Sequence, residues 1–124
     1  MTVSFSDAER QYLADQLLGR LATADADGRP HVVPVSFRYD AELGTIDCGG
    51  FHVDTTKKWR DVRANPWVAL VVDDLVSTDP WQPRMLEIRG RAEAVTTGGE
   101  RLRPGFGPAF IRIHPEKKNS FGIG

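Results

Sequence analysis

Apolar and polar residues alternate with a period of two along several segments of the chain, which is typical of β-strands that bury one face. In the segment HVVPVSFRYD, residues 31–40, the odd-numbered positions from Val33 to Tyr39 are predicted to face the core. The positions left off the core face are Val32, Pro34, Ser36 and Arg38. Because proline has no backbone N–H, we expect an irregular or unpaired strand edge at Pro34.

Two further strands are predicted on either side of this segment. One runs from Gly19 and is joined to it by a turn at Asp27–Gly28. The other is short, from Thr45 to Cys48, and follows the loop DAELG. This succession of strands and turns favours antiparallel hairpins.

The second half of the chain supplies three more strands. The apolar run WVALVVDD indicates a strand buried on both faces, whereas RMLEIRGRAEAV alternates again. The last strand is AFIRIHP. The segments STDPWQPR and TTGGERLRPGFGP are rich in glycine and proline or polar residues and are predicted to be loops.

Two helices are predicted. Ser6 to Glu9 has the form of a capping box, so a helix should begin there and continue to about Leu18, with Gly19 ending it. Its predicted buried stripe is Tyr12, Leu13, Gln16 and Leu17. The second helix lies in DTTKKWRDVRANP and ends at Asn65–Pro66, because the residue before proline avoids the helical region.

About six short strands with few helices, and no βαβ units, predict a mainly β (α+β) fold. A small closed or split β-barrel fits this element order best. No linker or repeat divides the sequence, so residues 1–124 are expected to form a single domain.

Charge and composition narrow the function classes. The net charge of −1 argues against a nucleic-acid or anionic-membrane binder, which would need a marked basic excess. No stretch approaches the roughly 20 apolar residues of a membrane span, and no signal peptide is recognised. The single Cys48 cannot form an internal disulfide, so a reducing, cytoplasmic location is expected.

No catalytic or metal-binding set of side chains stands out. The histidines at 31, 52 and 114 lack metal-ligand spacing, and Ser36 has no evident histidine partner for nucleophilic catalysis. We therefore predict no metal site and name no catalytic side chain.

Lys57 and Lys58 form the most unusual feature, because they fall in the first turn of the second helix. Each cation there costs roughly 0.3 to 1 kcal/mol against the helix dipole. A bound anion would reverse this cost. The free N–H groups, the hydroxyls of Thr55 and Thr56 and the two ammonium groups would then form a phosphate-binding site. The alternative is that both lysines are simply solvated.

The order of several segments resembles the pyridoxamine-phosphate-oxidase-like flavin and deazaflavin proteins. These segments are LATADADGRPHVVPVSFRYD, TKKWRDVRANPWVALVVDD, RGRAEAV and IRIHP. Among those proteins the chain is most similar to the coenzyme F420-dependent reductases, particularly the subgroup that contains the oxytetracycline-biosynthesis reductase. The resemblance implies a six-stranded split β-barrel of the FMN-binding type and a homodimer with cofactor sites at its interface.

The resemblance also implies a set of cofactor-binding residues. Thr56, Lys57 and Lys58 match the family's phosphate motif ahead of Asn65–Pro66. The cofactor ring is expected along the strand at Val32, Pro34, Val35 and Ser36, with Phe51 and His52 as a further contacting pair. For His52, a plain loop histidine is the alternative.

The function implied is hydride transfer from reduced coenzyme F420, a deazaflavin, to a small conjugated substrate. An FMN-dependent oxidase or reductase and a non-catalytic flavin- or F420-binding dimer remain alternatives. Arg38, Arg60 and Arg63 are candidates to neutralise the acidic tail of F420. For any one of them, solvation or an ion pair with Asp40 or Asp61 is the favoured alternative.

Contacts from a partner subunit are also implied by the resemblance. Trp81, Arg84 and the C-terminal NSFGI are expected to reach the partner's cofactor site, while a local core role is the alternative for Trp81. Many relatives have an extra helix where this chain has TTGGERLRPGFGP.

Overall fold

The computed structural model describes residues 3–124 and contains a closed barrel of six antiparallel strands in the order β1-β2-β3-β6-β5-β4. The strands are β1 (Leu18–Ala24), β2 (Pro30–Asp40), β3 (Thr45–Gly49), β4 (Trp67–Thr78), β5 (Trp81–Val95) and β6 (Phe110–Phe121). The helices are α1 (Asp7–Asp15) and α2 (Lys57–Ala64), with short 3-10 turns at Val53–Thr55 and Gly99–Arg101. The predicted mainly β, six-stranded barrel is confirmed.

The barrel interior is filled by alternate residues of every strand. In β2, Val35 and Phe37 are buried while Val32 is 63% exposed, which confirms the predicted core face. Strand β5 alternates as predicted, with Leu86 and Ile88 fully buried. Trp59 and Val62 of α2 extend this core. Helix α2 is therefore fixed to the barrel by burial of its apolar face.

Strand β4 departs from the prediction that both of its faces are buried. Val68, Leu70 and Val72 point into the core, but Trp67 is 54% exposed and Val71 is only half-buried. A closed barrel has a single interior, so each strand has one outward face whatever its composition. The apolar residues on the outer face of β4 therefore form an accessible surface.

Helix α1 starts as predicted but ends earlier. The capping box is formed, with Ser6 N–H donating to Glu9 Oε1 at 2.8 Å and Glu9 N–H to Ser6 Oγ at 3.1 Å. The helix ends at Asp15, and Leu17, predicted to be buried, is 67% exposed.

Gly19 lies inside β1 and does not end the helix. The chain from Leu18 is already paired with β2, as Leu18 opposes Ser36. A Cβ at position 19 would sit 3.0 Å from Leu70 Cδ1 and 3.2 Å from Val71 O. Glycine is needed here because β4 approaches closely.

The segment STDPWQPR is part of a long hairpin rather than a loop. β4 continues to Thr78, which opposes Trp81 at the start of β5, so Trp81 is a strand residue and is 69% exposed. Arg84, expected to reach a partner subunit, binds Asp74 within the same chain at 2.7 and 3.0 Å. Tyr12 Oη donates to the same carboxylate at 2.8 Å, which ties α1 to the hairpin.

None of the helices within residues 3–124 is long and apolar enough to cross a membrane.

Candidate functional site

An unpaired strand edge is the first component of the site. β2 pairs with β1 from Pro30↔Ala24 to Ser36↔Leu18, but it pairs with β3 only from Ser36↔Gly49 to Asp40↔Thr45. The side of β2 that faces β3 is therefore unpaired over residues 30–35. The unpaired edge predicted at Pro34 is confirmed, and the backbone there is free to bind a ligand.

The side chains along this edge have different exposures. Val32 and Pro34 are exposed on the outer face and Ser36 is partly exposed. Val35 is only 4% exposed in the core, so only its backbone is available to a ligand.

The chain leaves β3 at Gly49 and forms the second component. Val53 is buried and anchors a 3-10 turn, in which the N–H groups of Thr55 and Thr56 donate to His52 O and Val53 O at 3.1 Å each. Phe51 is 66% exposed and its ring packs edge-to-face on Phe106 at 5.6 Å. His52 is exposed.

Helix α2 begins at Lys57 with Thr56 as its N-cap, whose Oγ1 accepts from Trp59 N–H at 3.4 Å. Both threonine hydroxyl hydrogens are already used, Thr55 donating to His52 O at 2.8 Å and Thr56 to Val53 O at 2.6 Å. The first N–H groups of a helix have no intrahelical acceptor. The donors left for an anion are therefore backbone N–H groups rather than these hydroxyls.

Lys57 has a structural partner. Its Nζ lies 2.9 Å from Asp61 Oδ1, and Thr23 Oγ1 donates to Asp61 Oδ2 at 2.8 Å. Burial would raise the pKa of Asp61, but the hydrogen bonds from Lys57 and Thr23 outweigh it and hold the pKa below its usual value. Lys57 thus compensates a buried carboxylate one turn along the helix, and Asp61 is not the partner of Arg60 or Arg63.

Lys58 differs from its neighbour. It is half-buried, and burial lowers its pKa. Within residues 3–124 no carboxylate lies within ion-pair distance of its ammonium group. The nearby Cys48 thiol is buried, which raises its pKa to about 12 and leaves it neutral at physiological pH. Lys58 is a desolvated cation without a counter-ion in the described chain, beside the positive end of a helix.

The sequence did not indicate an ionic cluster that lies beside these components. Asp47 is 1% exposed on the outer face of β3; Arg112 donates to both of its oxygens at 3.0 and 3.1 Å, and Arg101 donates at 3.0 Å. Arg38 donates to Arg101 O at 3.1 Å. The alternating pattern of β3 places Asp47 outward, but its partners come from the distant β6 and the 3-10 turn at 99–101.

A cleft of about 530 Å³ lies between α1, the β2–β3 pair and the loop at 102–106. Ser36 lines it, so the cleft opens where the unpaired edge of β2 ends. The structure thus brings together the edge of β2, the segment leaving β3 and the cleft. No group of three or more His, Cys, Asp or Glu side chains in residues 3–124 is arranged to hold a metal ion.

Comparison with known proteins gives a consistent result. A family model described as pyridoxamine 5'-phosphate oxidase matches residues 5–118. The chain is 45% identical over 119 residues to a curated protein from Streptomyces rimosus subsp. rimosus, covering 96% of this chain and 84% of that one. That protein is a 5a,11a-dehydrotetracycline/5a,11a-dehydrooxytetracycline reductase.

Solved structures share the fold at low sequence identity. HupZ of Group A Streptococcus superposes with a TM-score of 0.77 at 19% identity, covering 98% of this chain and 97% of that one. An FAD-binding protein of Mesorhizobium loti superposes with a TM-score of 0.67 at 24% identity. The match covers 97% of this chain and 96% of that one. These likenesses concern the barrel fold alone.

The Asp47 cluster predicts a large effect of one substitution. Asp47→Ala leaves Arg112, mostly buried, without its carboxylate, and should lower the free energy of unfolding by about 3 kcal/mol in urea titrations. Asp27→Ala, at an exposed turn position, is the matched control and should change it little. If the two variants had the same free energy of unfolding, the Asp47 cluster would not contribute to the stability of the fold.

Proposed function

The chain belongs to the pyridoxamine 5'-phosphate oxidase family, as its sequence suggested, and we propose that it is a reductase that uses reduced coenzyme F420 to reduce a conjugated organic substrate. Family membership and the similar reductase support an oxidoreductase. A flavin or deazaflavin cofactor is part of the proposal. The observation that carries the finer proposal is Lys58, a half-buried cation that has no counter-ion among residues 3–124 and lies near Cys48 of β3, the strand that parts from β2 at Gly49.

The phosphate of the cofactor fits the start of α2. The ammonium of Lys58 and the free N–H groups of the first turn would hold it, because both the charge and the helix dipole favour an anion there. Lys57 would contribute less than the sequence predicted, since its charge is shared with Asp61 at 2.9 Å. Thr56 would act mainly by capping the helix that presents these donors.

The cofactor ring fits the edge of β2. The backbone groups of Pro34–Ser36 would bind the polar rim of the ring, and Val32 and Pro34 would pack on its face. Phe51 and His52, which leave β3 beside this edge, would flank it. When bound, reduced F420 would supply a hydride from its ring. The residues of this chain would orient ring and acceptor, and the proton would come from solvent or from a group of the substrate.

The relative from Streptomyces rimosus supports a reductase rather than an oxidase. At 45% identity over nearly the whole chain, a similar reaction on a conjugated acceptor is the simplest extension of that protein's activity. FMN remains the alternative cofactor, because Lys58 and the β2 edge would serve any phosphorylated flavin. A flavin-binding dimer without catalytic activity would use the same contacts.

The acidic tail of F420 distinguishes it from FMN. Arg60 and Arg63 on α2 are the candidates to neutralise it, since Asp61 is occupied by Lys57 and Thr23. Arg38, the third candidate, lies at the wall of the cleft and donates to Arg101 O. Arg60 also donates to Thr55 O at 3.3 Å, so the proposal of F420 rather than FMN depends mainly on the exposed Arg63 and on the similarity to the reductase.

We further propose a homodimer with the cofactor sites at its interface. Val32, Ala22 and Ala69 form an outward row across three neighbouring strands, and Trp67 lies beside it. Trp81 and Phe121 are a second exposed apolar group near the tip of the β4–β5 hairpin. Apolar patches of this kind usually mark contacts between proteins.

Cofactor titration followed by fluorescence tests the proposed function. F420 should bind more tightly than FMN, and Lys58→Ala should weaken F420 at least tenfold, whereas Lys57→Ala should have a smaller effect. Arg29→Ala, in the exposed turn between β1 and β2, is the control and should bind as the wild type does. Unchanged affinity in a Lys57→Ala, Lys58→Ala double variant would exclude the phosphate site.

The pH dependence of binding follows from the pKa of Lys58. Because burial lowers that pKa from its ordinary 10.5, the ammonium loses its proton at a lower pH than usual. F420 affinity should therefore fall as pH rises through this lowered value, while Lys58→Arg, which stays charged, should show a flatter profile. Superimposable pH profiles of the two proteins would contradict the assignment of the phosphate to Lys58.

Sedimentation velocity tests the dimer. The wild type should be dimeric at micromolar concentration, and Trp81→Lys should shift it toward the monomer, because a charge would replace an exposed apolar side chain at the proposed contact. Glu42→Lys, in an exposed turn, is the control. If the wild type is a monomer, the proposal that the cofactor sites lie at a dimer interface is wrong.

A further inference from the structure

The cleft between α1, the β2–β3 pair and the loop at 102–106 has the dimensions of a ligand site. Its volume of about 530 Å³ falls within the usual range for small-molecule pockets. Ser36 on its rim is also the residue at which β2 begins to pair with β3. A ligand in the cleft would therefore lie next to the strand edge proposed for the cofactor ring.

The wall of this cleft is fixed by several contacts. Arg101, just before the loop, binds the buried Asp47 at 3.0 Å. At the other end, Phe106 packs on Phe51, and Gly107 N–H donates to Gly50 O at 3.0 Å. A loop held at both ends gives a largely preformed pocket, which lowers the entropic cost of binding.

The charge of the lining is positive and uncompensated. Arg38 and Arg103 line the cleft, and neither has a carboxylate within ion-pair distance among residues 3–124. A third arginine, Arg10, is paired with Asp7. The carboxylate in the lining, Asp47, already binds Arg101 and Arg112. In a chain of net charge −1, this local excess favours an anionic ligand group.

The rest of the lining is largely apolar. Leu17 is 67% exposed at the end of α1, and Leu102, Pro104 and Phe106 supply the opposite wall. The exposure of Leu17, which the helical pattern did not predict, is explained if a bound molecule covers it. An apolar body of conjugated rings matches these walls.

We propose that this cleft binds the hydride acceptor, and that the acceptor is a conjugated molecule bearing an anionic group. The acidic group binds Arg38 and Arg103, and the conjugated body packs between Leu17 and Phe106. The assignment of the acceptor rests on the proposed reductase function. The selectivity of the cleft for anionic conjugated molecules does not depend on that function. It can be measured without cofactor.

A matched pair of fluorescent probes tests the selectivity. 1-Anilinonaphthalene-8-sulfonate and N-phenyl-1-naphthylamine differ by the sulfonate alone. The anionic probe should bind the native protein at least tenfold more tightly. Arg103→Gln should weaken it about fivefold and leave the neutral probe within twofold. Arg29→Gln, which removes an exposed arginine in the turn between β1 and β2, is the matched control and should leave the affinities of both probes unchanged. Equal affinities for the two probes, or an unchanged affinity in Arg103→Gln, would overturn the proposal.

Competition with cofactor identifies which molecule supplies the acidic group. With F420 bound at saturation, the anionic probe should still bind, because the acceptor site is separate from the cofactor. Displacement of the probe by F420 but not by FMN would assign the arginines to the acidic tail of F420 and overturn the acceptor assignment. If neither cofactor binds, the proposed function fails while the probe measurements still report on the cleft. Lys58→Ala should leave probe affinity unchanged.

Discussion

The site depends on the place where two barrel strands stop pairing. β2 and β3 are paired from Asp40↔Thr45 to Ser36↔Gly49, and beyond that point β3 turns away into Gly50 and the segment that leads to α2. Because a strand edge without a partner exposes polar backbone groups, the divergence creates both a surface that can bind a ring and room for that ring. Pro34, which has no N–H, lies on this edge, and the segment that leaves β3 leads into α2.

The two consecutive lysines at the start of α2 have different physical roles. Lys57 compensates Asp61, a carboxylate 3% exposed that also binds Thr23 of β1, so it helps fix the helix to the barrel. Lys58 has no such partner in the described chain, and its burial disfavours its charge. A desolvated cation is tolerated more easily when a ligand supplies the opposite charge. The stability of the helix and the affinity of the proposed phosphate site are thus assigned to different side chains.

Local periodicity predicted the fold well, because strand faces and capping are set by near neighbours. The core face of β2 and the Ser6–Glu9 capping box could be identified from spacing alone. The end of α1, the strand position of Gly19 and the hairpin around Trp81 could not, since strand pairing overrides local preference there. The Asp47 cluster and the cleft join residues more than fifty positions apart, and no local pattern reports such contacts.

The attachment of the loop at 102–106 has an evolutionary consequence. It is anchored through Arg101 and Asp47 at one end and through Phe106 and Gly107 at the other, while Arg103, Pro104 and Gly105 between these anchors are exposed. Substitutions in the residues between these anchors should therefore be tolerated without unfolding the barrel. If the cleft binds the acceptor as proposed, grafting a different insert between these anchors would change the range of acceptors and leave the proposed cofactor site as it is.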